Sequence, residues 1–221
     1  DTDDIIMKQK KAGRKWTHLP ISYAPYLVED FYDPVQPKQT DHLASIFMSN
    51  CGNSNSGRNE ILQELMDTIG VASFGQCLHN KEPEALGCNQ QHYAQKLCAI
   101  AKYKFYLAFE NSIDPSYVTE KYWQALKVGT VPVYLGAPNI DEFDPMYGLG
   151  GKSVIKISDF ASTADLAKYL QYLDKNDTAY NEFLKWKEIP PTPRFKSLVS
   201  KSLDFSWSAC RVCKAVAVTL K

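Results

Sequence analysis

The sequence predicts an α/β fold in which a parallel β-sheet is flanked by helices. From Leu43 onward, short apolar runs alternate with segments whose apolar residues recur at helical spacing, as expected for parallel strands joined by crossover helices. The composition, 44% hydrophobic and 23% charged, is that of a folded globular chain. The length of 221 residues suits one large domain with appendages.

Five apolar runs are short enough to be strands and are separated by polar loops. They are residues 43–48, 71–74, 104–109, 131–135 and 153–157. The longest loops, residues 75–90 and 139–151, contain few apolar residues, and we expect no regular structure in them.

Helices are predicted where apolar residues recur every three or four positions. The helical segments are residues 58–69, 91–102, 120–128, 163–173 and 178–188. Thr119, and either Ser162 or Thr163, stand where N-caps belong, and Gly129 suits the position after a helix end. The second helix places Tyr93 on its apolar face, and Pro193 is among the prolines expected to break the last helix.

The ends of the chain differ from its middle. Residues 1–41 contain four prolines and no sustained periodicity, so we expect a linker or the remnant of a preceding domain. Residues 42–189 form the predicted main domain, and residues 190–221 a tail. The chain begins with Asp and has neither a signal-peptide pattern nor an apolar stretch of about 18 residues. We expect it to be a processed or truncated piece of a longer protein.

Charge and cysteine content narrow the function classes. Lysine plus arginine equals aspartate plus glutamate at 25 each, which argues against a nucleic-acid-binding protein. Six cysteines can pair in 15 ways, and with the sequon at Asn176 they favour an oxidising, lumenal setting. Cys210 and Cys213 form a CxxC pair that suits a local disulfide, two buried thiols or half of a zinc site. Because no second pair stands at metal spacing, we expect no zinc.

The segment most informative about chemistry is residues 104–136, which reads as strand, loop, helix, strand. Ligands of open α/β sheets bind beyond the carboxyl ends of the strands, where the helix after Thr119 begins. A helix N-terminus attracts phosphate, and Lys121 adds a full charge there. The carboxylate of Glu120 would repel a phosphate, so we expect it to face a neutral ring or a developing cation instead. The alternative is that Glu120 and Lys121 are ordinary solvated first-turn residues.

Arg58 repeats this arrangement at the start of the first helix. It follows a loop rich in Asn, Ser and Gly that leaves the first strand, and its planar guanidinium can bind two phosphate oxygens. The alternative is a surface arginine. The sequence contains no Gly-rich dinucleotide fingerprint, Walker sequence, Gly-x-Ser-x-Gly elbow or Asp-x-Asp metal motif.

A longer pattern spans the same region. It runs from Phe109-Glu110-Asn111-Ser112 through Tyr117-Val118-Thr119-Glu120-Lys121 to Gly129-Thr130-Val131-Pro132-Val133-Tyr134-Leu135-Gly136-Ala137-Pro138-Asn139. This pattern resembles the signature of the α1,3/4-fucosyltransferase family. Residues 34–38, 49–52, 58–59 and 195–198, with the CxxC pair, resemble the plant-type core α1,3-fucosyltransferases.

The resemblance implies a GT-B fold, in which two Rossmann-like domains face each other, with this chain supplying the C-terminal, donor-binding one. It implies that Arg58 and Lys121 bind the pyrophosphate of GDP-fucose and that Asn111 and Tyr117 contact the nucleotide or its phosphates. It further implies that Glu120 faces the fucose and stabilises positive charge as the glycosidic bond breaks.

The implied reaction is an inverting transfer of L-fucose from GDP-fucose, in α1,3 linkage, to N-acetylglucosamine of glycoprotein N-glycans. No cofactor is required by this reading, although it leaves assistance from a divalent cation open. The implied setting is the Golgi lumen, within a type II membrane protein whose anchor lies outside this chain. The family's general base is a carboxylate of the N-terminal domain, most of which is absent here.

Several alternatives remain at this stage. The acceptor could instead be a Lewis-type lactosamine or a peptide. The chain alone could bind the nucleotide sugar without turnover. A small, disulfide-linked secreted adhesion module would instead be mostly β structure. The loop at residues 53–57, which precedes Arg58, is longer than the family's link to its arginine.

Overall fold

Five parallel strands form one sheet in the order β2-β1-β3-β4-β5. The computed structural model describes residues 38–52, 54–90 and 92–203. The strands are β1 (Ala44–Ile46), β2 (Val71–Ser73), β3 (Phe105–Phe109), β4 (Val131–Leu135) and β5 (Ile155–Lys156). The predicted α/β class is confirmed. The fourth strand has the predicted bounds, whereas the fifth keeps only two of its five predicted residues.

The described part of the chain contains six α-helices. They are α1 (Arg58–Ile69), α2 (His92–Ala101), α3 (Glu120–Lys127), α4 (Thr163–Lys175), α5 (Asp177–Glu182) and α6 (Pro193–Leu203). The predicted loops at 75–90 and 139–151 each contain one short 3-10 turn, Pro83–Leu86 and Ile140–Phe143. More of the described residues lie in helices than in strands, so the alternative of a mostly-β adhesion module is wrong.

Helices cover both faces of the sheet, and β3 shows how the core is divided. Phe105, Leu107 and Phe109 pack on the face that carries α1 and α4, while Tyr106 and Ala108 pack on the face that carries α2 and α3. Successive side chains of a strand point to opposite faces, so a strand covered on both sides must be apolar throughout. This explains the unbroken apolar run that predicted β3.

A crevice is expected where β1 and β3 lie side by side. From β1 the chain passes through α1 to β2 on one side, and then returns through α2 to β3 on the other side. The connections that leave the carboxyl ends of β1 and β3 therefore diverge to opposite faces. In open parallel sheets, ligands bind at this kind of switch in strand order.

Two of the predicted helix boundaries are confirmed. The Ser162 hydroxyl accepts a hydrogen bond from the backbone N–H of Asp165 at 3.1 Å, which is an N-cap. Gly129 has a φ of 64°, in the left-handed region that follows many helices.

Two other expectations about the helices are wrong. Tyr93 is 38% exposed, because α2 is buried only from Leu97 onward. The predicted helix over residues 178–188 is divided into α5 and a 3-10 turn at Lys185–Lys187. That segment does end before the prolines, and Pro193 begins the new helix α6, since the first helical position needs no N–H.

Two disulfides join segments within the described residues, Cys51–Cys77 and Cys88–Cys98. The sequence left this pairing open. Cys210 and Cys213 lie outside the described residues, as do residues 1–37 of the predicted linker. Among the helices that are described, none combines the length and apolarity needed to span a bilayer.

Candidate functional site

Arg58 lies in the crevice at the carboxyl ends of β1 and β3. Its guanidinium donates hydrogen bonds to the carbonyl of Asn50 at 2.6 Å, to the carbonyl of Phe109 at 3.3 Å and to the side-chain oxygen of Asn111. The residue is 2% exposed, and burial lowers the pKa of Arg58, although the nearby Glu110 opposes this. An arginine stays protonated in proteins, so a buried positive charge stands in the crevice.

The loop before Arg58 is fastened to the end of β3. The Ser56 hydroxyl donates to the carbonyl of Glu110 at 2.8 Å, and the N–H of Asn55 donates to the carbonyl of Asn111 at 3.1 Å. Ser54, Asn55 and Ser56, in the loop that is longer than the link of the resembled family, therefore pack on residues 110–111 and hold the arginine against them.

Glu110 is a buried carboxylate at the centre of the site. Its side chain is 0% exposed and accepts hydrogen bonds from the N–H of Thr119 at 2.7 Å and from the ammonium of Lys121 at 2.8 Å. The Thr119 hydroxyl lies 2.7–2.8 Å from both carboxylate oxygens. A buried carboxylate is stable only with such partners. Sequence reasoning missed Glu110, although an acid directly after a buried apolar strand was an available signal.

Thr119 is the N-cap residue of α3, as predicted, but its side chain does not cap the helix. Its hydroxyl is occupied by Glu110 and by Lys121, whose ammonium lies 2.7 Å away. Within the described residues, no side chain at this cap accepts from the first amides of α3. A helix N-terminus of this kind offers N–H groups and partial positive charge to an anion.

Lys121 and Glu120 lie in a row of alternating charges. The Lys121 ammonium stands 2.8 Å from Glu110 and 3.7 Å from a Glu120 oxygen, and the Lys96 ammonium stands 4.0 Å from the same Glu120 oxygen. The Lys121 side chain is only 14% exposed, so it is not an ordinary solvated residue. These four groups sum to zero charge, which leaves Arg58 as the excess positive charge nearby.

The loop that carries Tyr117 is held against the end of β4. The Tyr134 hydroxyl donates to the carbonyl of Tyr117 at 3.1 Å, and the Asn139 amide oxygen accepts from the N–H of Ser116 at 2.7 Å. Ser116 has a φ of 62°, which these contacts maintain. Tyr117 itself is 38% exposed and near enough to Arg58 to interact with it electrostatically.

The five predicted donor-binding residues thus lie around one crevice. Arg58 reaches it from α1 on one face of the sheet, and Lys121 from α3 on the other, and both contact the segment at residues 109–111. Asn111 directs its side-chain oxygen at Arg58, so in this structure it orients the arginine.

The remaining candidate residues lie elsewhere or outside the description. Asn176 caps α5 through a hydrogen bond from the N–H of Ala179 at 3.0 Å, and its amide donates to the Tyr172 hydroxyl at 2.9 Å. In the segments described, no three His, Cys, Asp or Glu side chains are grouped as metal ligands would be.

Comparisons with known proteins point to one family. The family model described as glycosyltransferase family 10 (fucosyltransferase), C-terminal part, matches residues 37–221. A fucosyltransferase-like protein of Arabidopsis thaliana is 37% identical over 219 residues, covering 99% of the chain and 39% of that protein. The GDP-fucose protein O-fucosyltransferase 3 of Xenopus laevis is 38% identical over 216 residues, covering 89% of the chain and 44% of that protein.

Solved structures of α1,3-fucosyltransferase show the same fold. The one determined with GDP-fucose is 26% identical, with a TM-score of 0.56 over 78% of the chain and 49% of its own length. The one determined with GDP is 24% identical with the same TM-score. The chain thus spans less than half the length of these curated relatives and solved structures.

Proposed function

The chain belongs to glycosyltransferase family 10, the fucosyltransferases, and we propose that it is the donor-binding part of an enzyme that transfers L-fucose from GDP-fucose to a glycoprotein. The observation that carries this proposal is the convergence of Arg58 and Lys121 on residues 109–111 at the switch in strand order. Two cations and a helix N-terminus that face one crevice suit a diphosphate.

The diphosphate of the donor is held by Arg58 and Lys121. Arg58 is already oriented by Asn111 and two backbone carbonyls, so little side-chain entropy is lost when phosphate binds. Before the donor binds, the Lys121 ammonium is paired with Glu110. Once the donor is bound, the ammonium also contacts the phosphate. Tyr117, at the rim of the crevice, contacts the nucleotide or its phosphates.

The transfer breaks the bond between C1 of fucose and the terminal phosphate oxygen, whose electron pair leaves with GDP. The acceptor hydroxyl oxygen forms the new bond to C1 from the opposite side and gives its proton to a carboxylate base outside this chain. Glu120 faces the sugar and stabilises its oxocarbenium-like charge. Arg58 and Lys121 stabilise the charge that GDP gains, so both act more strongly in the transition state.

We propose that these side chains carry the charge of the diphosphate without a resident metal ion. The chemistry that supports this is the pairing of a guanidinium and an ammonium with a helix N-terminus, three groups that serve phosphate well. Initial rates with a chelator and with added Mg²⁺ or Mn²⁺ measure how far a divalent cation assists.

The acceptor has two candidates within this function. The plant-type resemblance of the sequence favours N-acetylglucosamine of glycoprotein N-glycans in α1,3 linkage. The Xenopus relative, 38% identical and named a protein O-fucosyltransferase, favours a hydroxyl side chain of a protein. To distinguish the two, the enzyme is given labelled GDP-fucose with either an N-glycopeptide or an unglycosylated folded protein domain. The acceptor that becomes labelled with fucose identifies the activity.

A lumenal setting is proposed on the basis of oxidation. The two disulfides among the described residues form in oxidising compartments, which suits the Golgi lumen and a type II membrane protein anchored outside this chain. The sequon at Asn176 fits the same setting. Treatment of the expressed protein with an endoglycosidase, followed by electrophoresis, would report a glycan at Asn176 as a decrease in apparent mass.

The donor site is tested by GDP calorimetry on the full-length protein with the variants Lys121→Met and Lys121→Arg. Loss of the ammonium is expected to weaken GDP binding by about 10- to 100-fold, since a charged hydrogen bond contributes roughly 1.5–3 kcal/mol. The arginine variant keeps most of the affinity. Lys152→Met, an exposed lysine in a loop, is the control, and equal affinity for all four proteins would reject the assignment.

A further inference from the structure

Lys96 is a third cation at the crevice, and it lies outside the residues predicted from the sequence. It projects from α2, and its ammonium stands 4.0 Å from an oxygen of Glu120 and 5.6 Å from the centre of the Phe47 ring. Its side chain is 21% exposed. A lysine in this setting has given up most of its hydration for one carboxylate and one aromatic face.

The oxygen of Glu120 that faces Lys96 also faces Lys121, at 3.7 Å. The two ammonium groups come from different helices, α2 and α3, so the carboxylate lies between two cations supplied by separate elements. Burial lowers the pKa of Lys96, while Glu120 and Glu110 oppose this and Lys121 adds to it. The lysine is therefore stabilised as a cation chiefly by the anion beside it.

The turn of α2 that carries Lys96 is firmly attached to the rest of the molecule. Gln95 donates to Glu84 at 2.6 Å and to the carbonyl of Cys88 at 3.0 Å, and Cys98 forms the disulfide with Cys88. Positions on both sides of Lys96 are thus fixed to the preceding segment. A glutamate at the first position of a helix has three rotatable bonds, and a fixed cation limits where its carboxylate can lie.

We propose that Lys96 is a positioning residue that, together with Lys121, holds the Glu120 carboxylate toward the sugar of the bound donor. This rests on the proposed fucosyl transfer. Lys96 acts through Glu120 and touches neither sugar nor phosphate. It thus accounts for a half-buried lysine on α2 that donor binding by Arg58 and Lys121 does not require.

The test compares Lys96→Met and Lys96→Arg in the full-length protein, with kcat and KM for GDP-fucose and the Kd for GDP as readouts. Lys96→Met is expected to lower kcat by about tenfold while the Kd for GDP changes by less than about twofold, because the group acts only on charge that develops in the transition state. Lys96→Arg is expected to restore part of kcat. Lys102→Met, which removes a lysine just after the far end of α2, is the matched control.

A double-mutant cycle separates positioning from a purely structural role. If Lys96 acts through Glu120, adding Lys96→Met to Glu120→Gln changes kcat by less than about twofold. Independent, multiplicative losses would overturn the proposal, as would an unchanged kcat in Lys96→Met or parallel losses in kcat and GDP affinity. Absence of fucosyl transfer by the wild-type protein, by contrast, would reject the proposed function itself.

Discussion

At the scale of single residues, the candidate site depends on how each charge is balanced. Arg58 is the only cation of the described crevice that bonds solely to neutral oxygens, whereas Lys121 is paired with Glu110. A phosphate would therefore meet one uncompensated charge and one shared charge. This arrangement limits the self-repulsion of the empty site and leaves attraction for an incoming dianion.

Glu120→Gln separates the role of the carboxylate in turnover from a role in binding. We expect kcat of the full-length protein to fall by about 100-fold, since a neutral amide cannot stabilise the developing charge on the sugar. The Kd for GDP, measured by calorimetry, is expected to change by less than about threefold. Glu182→Gln, an exposed residue of α5, is the control, and equal losses in kcat and GDP affinity would make Glu120 a binding group.

Lys38 makes the stability of the fold depend on pH. Its ammonium donates to the carbonyl of Ala101 at 2.7 Å, and burial, helped by Lys187 and Lys102, lowers the pKa of Lys38 to about 8. The unfolded chain, with a pKa of 10.5, binds more protons between these two values. The free energy of unfolding is therefore expected to rise with pH in this window, by up to about 3 kcal/mol.

Urea unfolding at pH 7, 8, 9 and 10 measures this dependence. Above about pH 10 the buried tyrosines, whose pKa values are raised by burial, oppose the rise, so the useful window ends there. Lys38→Met should remove most of the slope. A variant with the same slope as the wild type would assign the effect to other groups.

At the scale of elements, two strand-to-helix connections bring the site together. The connection after β1 presents Arg58 at the start of α1, and the connection after β3 presents Glu110, then Glu120 and Lys121 at the start of α3. The end of β4 and the residues after it support the second connection, since Tyr134 and Asn139 hold the Tyr117 loop. The motif that identified the family is therefore largely a scaffold around Glu110.

Gly136→Ala tests whether the end of β4 supports the site. A Cβ at this position would lie 2.6 Å from the Tyr134 hydroxyl and 2.7 Å from Cγ of Glu110, so both side chains, or the backbone at residue 136, must move. We expect a loss of about 1–3 kcal/mol in the free energy of unfolding, together with weaker GDP binding. Gly52→Ala, where no atom lies within 4 Å of the new Cβ, is the control in the same urea titration. Wild-type values for both variants would contradict the close packing at Gly136.

At the scale of the whole molecule, the sheet and two disulfides hold the site in place. Cys51–Cys77 joins the segments that follow β1 and β2, and the carbonyl of Cys51 accepts from the side-chain amide of Asn59, the residue after Arg58. Cys88–Cys98 attaches α2, which carries Lys96. Each disulfide thus fixes one element that contributes a cation to the crevice.

Removal of the disulfides is expected to destabilise the protein unequally. The two bridges close loops with sequence separations of 26 and 10 residues, for which the chain-entropy relation gives about 3.5 and about 2.7 kcal/mol. Cys51→Ser with Cys77→Ser should therefore lower the urea midpoint more than Cys88→Ser with Cys98→Ser. If both double-serine variants unfold at the same urea midpoint as the wild-type protein with its disulfides formed, the bridges contribute nothing to stability.

Much of the fold could be predicted from the sequence because its signals are local. The bounds of β4, the Ser162 cap and the turn at Gly129 each depend on a few neighbouring residues. Errors arose where distant packing decides the outcome. Tyr93 has helical spacing but lies before the part of α2 that is buried, and the single helix expected over residues 178–188 is divided into α5 and a 3-10 turn.

By itself the sequence determined the α/β class, the family and three of the charged residues of the crevice, Arg58, Glu120 and Lys121, because periodicity and motif spacing are properties of the chain. Only the tertiary structure decided which of these groups meet. Arg58 follows β1 and bonds to residues 109 and 111 at the end of β3, because the strand order places β3 beside β1. Lys96 of α2 meets Glu120 of α3 in the same way, through the packing of two helices that are separate in sequence. Charges far apart in sequence interact only after the sheet has fixed their distances, since electrostatic energy depends on separation and burial.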